Sequence, residues 1–97
     1  MMIDDLFVGC AVRSKRAFPA INVLEGEKGW VYETYTIGDH RGVSVIFERG
    51  GYDGFGEDTI DDFLEDLGEF DSRYNTYKFI NVSRVTEDYR KGFWDFK

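Results

Sequence analysis

Eight carboxylates, Glu57, Asp58, Asp61, Asp62, Glu65, Asp66, Glu69 and Asp71, fall within fifteen residues that hold no lysine, arginine or histidine. Such a cluster can hold a hard cation, divide acid and base roles between two carboxyls, imitate a run of phosphates, or dock on a basic surface. It can also be a solvated face. The residue types narrow this choice. Asp53, Glu57 and Asp58 supply oxygen ligands around a glycine-rich turn, but their order does not match the EF-hand loop. Neighbouring solvated carboxylates give no reason for one of them alone to keep its proton at neutral pH, so a glycosidase-type pair is not expected.

Other catalytic inventories are thin. Cys10 is the lone cysteine and His40, in the turn "GDHRG", the lone histidine, so nucleophilic chemistry would rest on a base at a loop tip. Zinc requires several such ligands, and the chain has two. "RGGYDGFGE" is glycine-rich but lacks the Lys-Ser/Thr ending of a P-loop. No catalysis, metal or cofactor is therefore expected.

Charge is distributed unevenly. Residues 1–56 sum to −2, residues 57–71 to −8 and residues 72–97 to +3, which makes the formal −7 of the 97-residue chain the property of one segment. The 42% hydrophobic and 18% aromatic content is that of a chain able to fold as one domain over residues 1–97. The start "MMIDDLFVGC" is acidic where a secretion signal is basic, and no apolar run approaches bilayer length. With a single thiol as well, a soluble protein of the cytoplasm is expected, with no membrane partner.

The elements that must position the carboxylates follow from periodicity. "FVGCAVR" sets Val8, Cys10 and Val12 on one face, a strand over about residues 7–13. "SKRAFPAINVLEGEKG" reads as a long loop with the only proline. "WVYETYTI" is a second strand, with Val31, Tyr35 and Ile37 facing opposite to Trp30, Tyr32 and Thr34. A turn at "GDHRG" leads to a third strand in which Val43, Val45 and Phe47 alternate against Ser44, Ile46 and Glu48, and "RGGYDGF" is a further turn with a short strand. Ile60, Phe63, Leu64 and Leu67 then recur at helical spacing. They predict an amphipathic helix over about 58–67, capped by Asp58 and ended by Gly68. "NTYKFINVSRV" returns to period two and predicts a last strand over about 76–85, before an aromatic tail over 86–97.

"VGCAVRSK", "GEKGWVYETY" and "GVSVIFERGGYDGF" together resemble the SH3-like small barrels, including the KOW and Tudor-type groups, in their succession of a Gly-x-Val strand, a Val-x-Phe strand and a glycine turn. The likeness spans about residues 7–85. It implies a binding module and assigns no ligand, since no complete aromatic cage motif is present. This chain departs from those families in the acidic helix expected between the fourth and fifth strands. The expected fold class is thus α+β: a small SH3-like, five-stranded, partly open antiparallel β-barrel with one acidic amphipathic helix before the last strand.

On such a helix Glu57/Asp61, Asp58/Asp62, Asp61/Glu65, Asp62/Asp66 and Glu65/Glu69 would be like-charge i, i+4 pairs, and at about 0.2–0.5 kcal/mol each they would oppose the helix by roughly 1–2 kcal/mol. Two arrangements would offset that cost. One is internal pairing with the basic residues Arg73, Lys78, Arg84, Arg90 and Lys91; the other is an external basic partner. The candidate partner-binding residues are Asp61, Asp62, Glu65, Asp66 and Glu69, with Trp30, Tyr32 and Trp94 as aromatic anchors alongside Phe93 and Phe96. The alternative for the aromatics is a second small core under the tail. The function expected is a non-catalytic protein-interaction module for a basic protein surface. Alternatives are a phage or mobile-element inhibitor that partly mimics nucleic acid and acts on a host nucleic-acid-handling protein, and a KOW-like nucleic-acid-binding domain. Phosphates repel this segment, so direct nucleic-acid binding is disfavoured.

Overall fold

Short β-branched and aromatic runs divided by glycine turns fold as a meander. In the computed structural model, which describes residues 3–70 and 82–92, the strands are β1 (Cys10–Ser14), β2 (Lys28–Ile37), β3 (His40–Phe47), β4 (Tyr52–Gly56) and β5 (Leu64–Phe70). They form one antiparallel sheet of order β4-β3-β2-β1-β5, which does not close. A single helical turn, α1 (Ile60–Phe63), precedes β5, and α2 (Val82–Arg90) follows it. Ile37 pairs with His40 across the two-residue turn Gly38–Asp39, where Gly38 has φ 62°, so the glycine supplies the positive φ that a tight hairpin requires. No helix among the described residues is long and apolar enough to cross a membrane.

The central strands of the sheet are buried on both faces. On the inner face Val12, Val31, Val43, Val45 and Phe47 are fully enclosed with Ile60 and Leu64. The long loop between β1 and β2 closes this side. Phe18 and Val23 exchange backbone hydrogen bonds of 2.8 and 3.1 Å around a 3-10 turn at Pro19–Ile21, which sets the Phe18 ring 5.8 Å from Phe55 and 5.4 Å from Phe63. On the outer face Ala11, Trp30, Tyr32 and Ile46 are covered by α2 through Val85 and Tyr89. The Tyr89 hydroxyl donates to the Glu48 carbonyl at 2.9 Å and so ties the helix to the β3–β4 turn.

Three expectations are corrected by this arrangement. First, the register of β2 against β3 shifts between Val31 and Glu33, so Thr34 opposes Val43 and lies on the inner side, as Val31 does, while Tyr35 opposes Gly42 on the outer side. The single alternation expected through Ile37 is broken by this bulge. The strand expected over 7–13 likewise begins only at Cys10, and Val8, in the turn before it, belongs to the outer core while Cys10 and Val12 belong to the inner one.

Second, the helix expected over 58–67 is one turn long, with Thr59 rather than Asp58 at its N-cap and no side-chain capping bond. Leu64 is already extended at φ −126°, ψ 144°. From there the chain pairs with β1, Leu64 opposite Ser14, Glu65 opposite Arg13 and Asp66 opposite Val12, and a bulge then admits Leu67–Glu69 before Phe70 meets Cys10. Gly68, at φ 71°, sits in this bulge instead of ending a helix. Ile60 and Leu64 satisfy both templates, since either puts them in the core. Helical spacing stacks carboxylate on carboxylate, whereas the strand spreads them and brings Glu69 to Lys28 at 2.9 Å.

Third, the fifth strand is therefore 64–70, and the expected last strand does not hold over 82–85, which belong to α2; its part at 76–81 lies outside the described residues. The helix is favoured by Val85 and Tyr89, one turn apart and facing the sheet, and by the Glu87–Lys91 ion pair at 2.8 Å. Gly92, at φ 76°, ends it with its N–H on the Tyr89 carbonyl.

Two glycines mark where the chain is packed too closely for a side chain. A Cβ on Gly51 would collide with the carbonyl oxygen of Ile21, and one on Gly29 would lie 2.7 Å from Val45 Cγ1 and 2.8 Å from Phe47 Cδ1. Gly51→Ala should therefore cost about 1–3 kcal/mol by forcing the long loop off the core. Phe47→Ala should cost about 3–5 kcal/mol through the cavity it leaves. Urea unfolding measures both, and a Gly51→Ala midpoint equal to the parent's would mean that the loop does not close the inner core.

Candidate functional site

The acidic segment occupies the edge of the sheet. Asp61 and Asp62 stand on α1, Glu65, Asp66 and Glu69 on β5, and all five are exposed. Their local roles differ. Glu69 pairs with Lys28 Nζ at 2.9 Å, and the same ammonium lies 5.0 Å from the Trp30 ring centroid. The Asp66 carboxylate accepts the Gly68 N–H at 2.9 Å and holds the bulge in shape. The Asp61 carbonyl accepts from Lys15 Nζ at 2.6 Å. Glu57, where the segment begins, pairs with Arg41 at 3.1 Å, and Arg41 also holds Asp4. Asp58, Asp62 and Glu65 are exposed with no cation at ion-pair distance among the described residues; Arg13, opposite Glu65, donates instead to the Gly26 carbonyl at 2.8 Å.

The aromatic anchors fare differently. Trp30 is 7% and Tyr32 3% exposed, both enclosed between the sheet and α2. They serve the outer core and are not available to a partner. Their alternation with Val31 placed them on one face correctly, but only tertiary packing shows that a helix covers it. Trp94 lies outside the described residues, as do Phe93 and Phe96. Exposed apolar surface appears elsewhere: Phe7 and Phe70, each 48% exposed, stack with centroids 4.8 Å apart where the ends of β1 and β5 meet. Sequence offered no sign of this pair, whose members stand sixty-three positions apart.

Phe7 also forms one wall of a cleft of about 270 Å³ between the 3-10 turn Ile3–Asp5 and the end of the β2–β3 hairpin. Its lining is mixed: the buried Leu6 and Val43 and the partly buried Ile3 are joined by Asp4, Thr34, Tyr35, Thr36 and Arg41. The hydrogen bonds that Arg41 donates to Asp4 and then to Glu57 push its pKa up.

Buried polar groups complete the site's surroundings. Glu27, 3% exposed, accepts the Leu24 N–H at 3.0 Å and the Arg49 N–H at 3.2 Å, and so joins the long loop to the β3–β4 turn. Cys10 is buried, and desolvation pushes its thiol pKa up, the opposite of what a nucleophile needs. It stands where Gly9 bonds Val31, whereas His40 stands at the hairpin turn, so the two do not meet. Among the described residues no three His, Cys, Asp or Glu side chains converge in a group that could hold a metal. Comparison with protein-family models, curated proteins and solved structures returned no match.

Tyr32 offers a measurable handle on the outer core. Burial pushes its pKa up to about 12, with the Ser44 hydrogen bond acting in the opposite direction. A phenol with a pKa raised above its unfolded value of about 10 contributes stability that is complete below pH ~10 and is lost as pH rises through the folded value. Between pH ~10 and ~12 stability should therefore fall, and Tyr32→Phe should remove part of that fall. Unfolding midpoints across this window check it; identical pH profiles for parent and variant would place Tyr32 in water.

Proposed function

We propose that the protein is a non-catalytic protein-interaction module whose acidic α1–β5 edge, with the exposed Phe7–Phe70 pair beside it, docks on a basic protein surface. The observation that carries this reading is the division of labour among the carboxylates. Glu57 and Glu69 are engaged by cations of the fold and Asp66 shapes a bulge, while Asp58, Asp62 and Glu65 are held in the open without a cation among the described residues. Exposed charges of one sign along an edge strand repel a second copy of that edge and favour a cationic partner. The stacked phenylalanines supply the apolar contact that a charged strip lacks.

The SH3-like reading is part of the proposal. What supports it is the meander order β4-β3-β2-β1-β5 with a helical turn between β4 and β5. A host protein that normally grips nucleic acid is a special case of the same basic partner, and the lone free thiol, Cys10, fits a cytosolic setting.

The test is a triple variant, Asp58→Asn, Asp62→Asn and Glu65→Gln. Relief of like-charge repulsion should leave the melting temperature equal or higher, whereas affinity for a partner captured from lysate should fall and lose its dependence on salt. Competition by duplex DNA separates a nucleic-acid-handling partner from any other. Undiminished capture by the triple variant would overturn the docking role of the acidic edge.

A further inference from the structure

The β2–β3 hairpin runs further than the strand beside it. β1 pairs with β2 only from Lys28 to Trp30, and one more bond, from the Gly9 N–H to the Val31 carbonyl, ends the contact. A turn closed by the Cys10 N–H on the Phe7 carbonyl, with Gly9 at φ 103°, stops β1 there. The cleft opens beyond that point, with Thr34, Tyr35 and Thr36 of β2 along one side.

Register fixes where the backbone groups of this stretch point. In an antiparallel ladder alternate residues bond to one neighbouring strand and then to the other. Arg41 faces β4, since its carbonyl accepts the Glu57 N–H at 2.9 Å. Its partner across the hairpin, Thr36, therefore turns its N–H and carbonyl away from β3, and so does Thr34, which opposes Val43. Among the described residues neither threonine has a backbone partner on that side. Two donors and two acceptors of a strand edge are thus presented along about 7 Å of the cleft.

We propose that Thr34–Thr36 is a strand-addition site, which takes an extended, uncharged segment of a partner protein through main-chain hydrogen bonds. The other described edges are blunted. On β4 the Gly54 N–H is taken by the Asp53 carboxylate at 2.8 Å and the Gly56 carbonyl by the Thr59 N–H at 3.2 Å. On β5 a bulge interrupts the edge and the Gly68 N–H is held by Asp66. The uncharged character of the segment follows from the lining, where the two charges, Asp4 and Arg41, are paired with each other and cancel. β-Branched residues suit such a pleated edge. Neither threonine belongs to the acidic segment, so this site and the acidic edge stand or fall separately.

The probe is the acetylated and amidated peptide Thr-Val-Thr-Val-Thr, titrated to millimolar concentration into the full chain while backbone amides are followed by two-dimensional NMR. In the free protein the Thr34 and Thr36 amides should exchange rapidly with solvent; slow exchange would mean that they are already paired and would overturn the site. The peptide should shift both resonances saturably and slow their exchange several-fold. Thr36→Pro should abolish these effects, since proline is tolerated where an edge N–H faces outward but removes the donor. The same peptide N-methylated at every internal amide carries this test without altering the fold, and it should produce no shifts. Equal shifts from the methylated peptide, shifts confined to Tyr52–Gly56 or Leu64–Phe70, or no shifts at all would overturn strand addition at β2. Lysine or glutamate in place of both valines should weaken binding several-fold, and equal binding would overturn the uncharged class of partner. None of these results bears on the acidic edge, which the triple variant tests.

Discussion

Carboxylates brought together repel, and the run from Glu57 to Asp71 concentrates that repulsion in one short piece of chain. A helix would stack like charges one turn apart along its whole length. Pairing Leu64–Phe70 with β1 spreads the carboxylates, at about 3.3 Å per residue instead of 1.5 Å, and brings cations of β1 and β2 onto the same strip. Lys28 reaches Glu69 at 2.9 Å, while Arg13, in register with Glu65, donates to the Gly26 carbonyl. The rest of the structure depends on this pairing. It completes the five-stranded sheet, draws Leu64 under the inner core, and leaves Ile60–Phe63 as a single turn that closes one end.

A sheet of so few strands obtains its stability by being covered twice. The loop after β1 folds Phe18, Ile21 and Val23 over the inner face, held by the exchange of hydrogen bonds between Phe18 and Val23 and by Glu27 beneath. The helix α2 covers Trp30, Tyr32 and Ile46 on the outer face. Both covers come close to the β3–β4 turn. The carbonyl of Ile21 lies against Gly51 from one side, and the Tyr89 ring lies near Gly50 and bonds Glu48 from the other. Gly50 is thus demanded twice, by its φ of 93° in the turn and by the Tyr89 ring, and Gly51 by the approach of Ile21.

Double coverage also decides what surface remains for a partner. The largest aromatic side chains of β2 are committed to the outer core, so exposed apolar area is left at the sheet's rim, where Phe7 and Phe70 stack next to the cleft. Acidic groups border that rim: Asp4 and Glu57 around Arg41 on one side, and β5 on the other. The charge that disfavours self-association of the edge is the same charge on which the proposed docking to a cationic partner rests.

By itself the sequence determined the strands of the hairpin, the inward row Val43, Val45 and Phe47, the glycine turns, and the confinement of net charge to one segment. Each of these follows from local alternation, φ preference or simple count. Tertiary structure decided the rest. Ile60 and Leu64 suit a helix and a strand equally, and the free edge of β1 that pairs with Leu64–Phe70, with Lys28 of β2 within reach of Glu69, exists only in the folded chain. The period-two reading of 82–85 was overridden because Val85 and Tyr89, spaced one helical turn apart, cover the sheet's apolar outer face. Whether Trp30 and Tyr32 are anchors or core was not legible for the same reason: alternation assigns a side chain to a face, whereas burial depends on what a distant segment lays over that face.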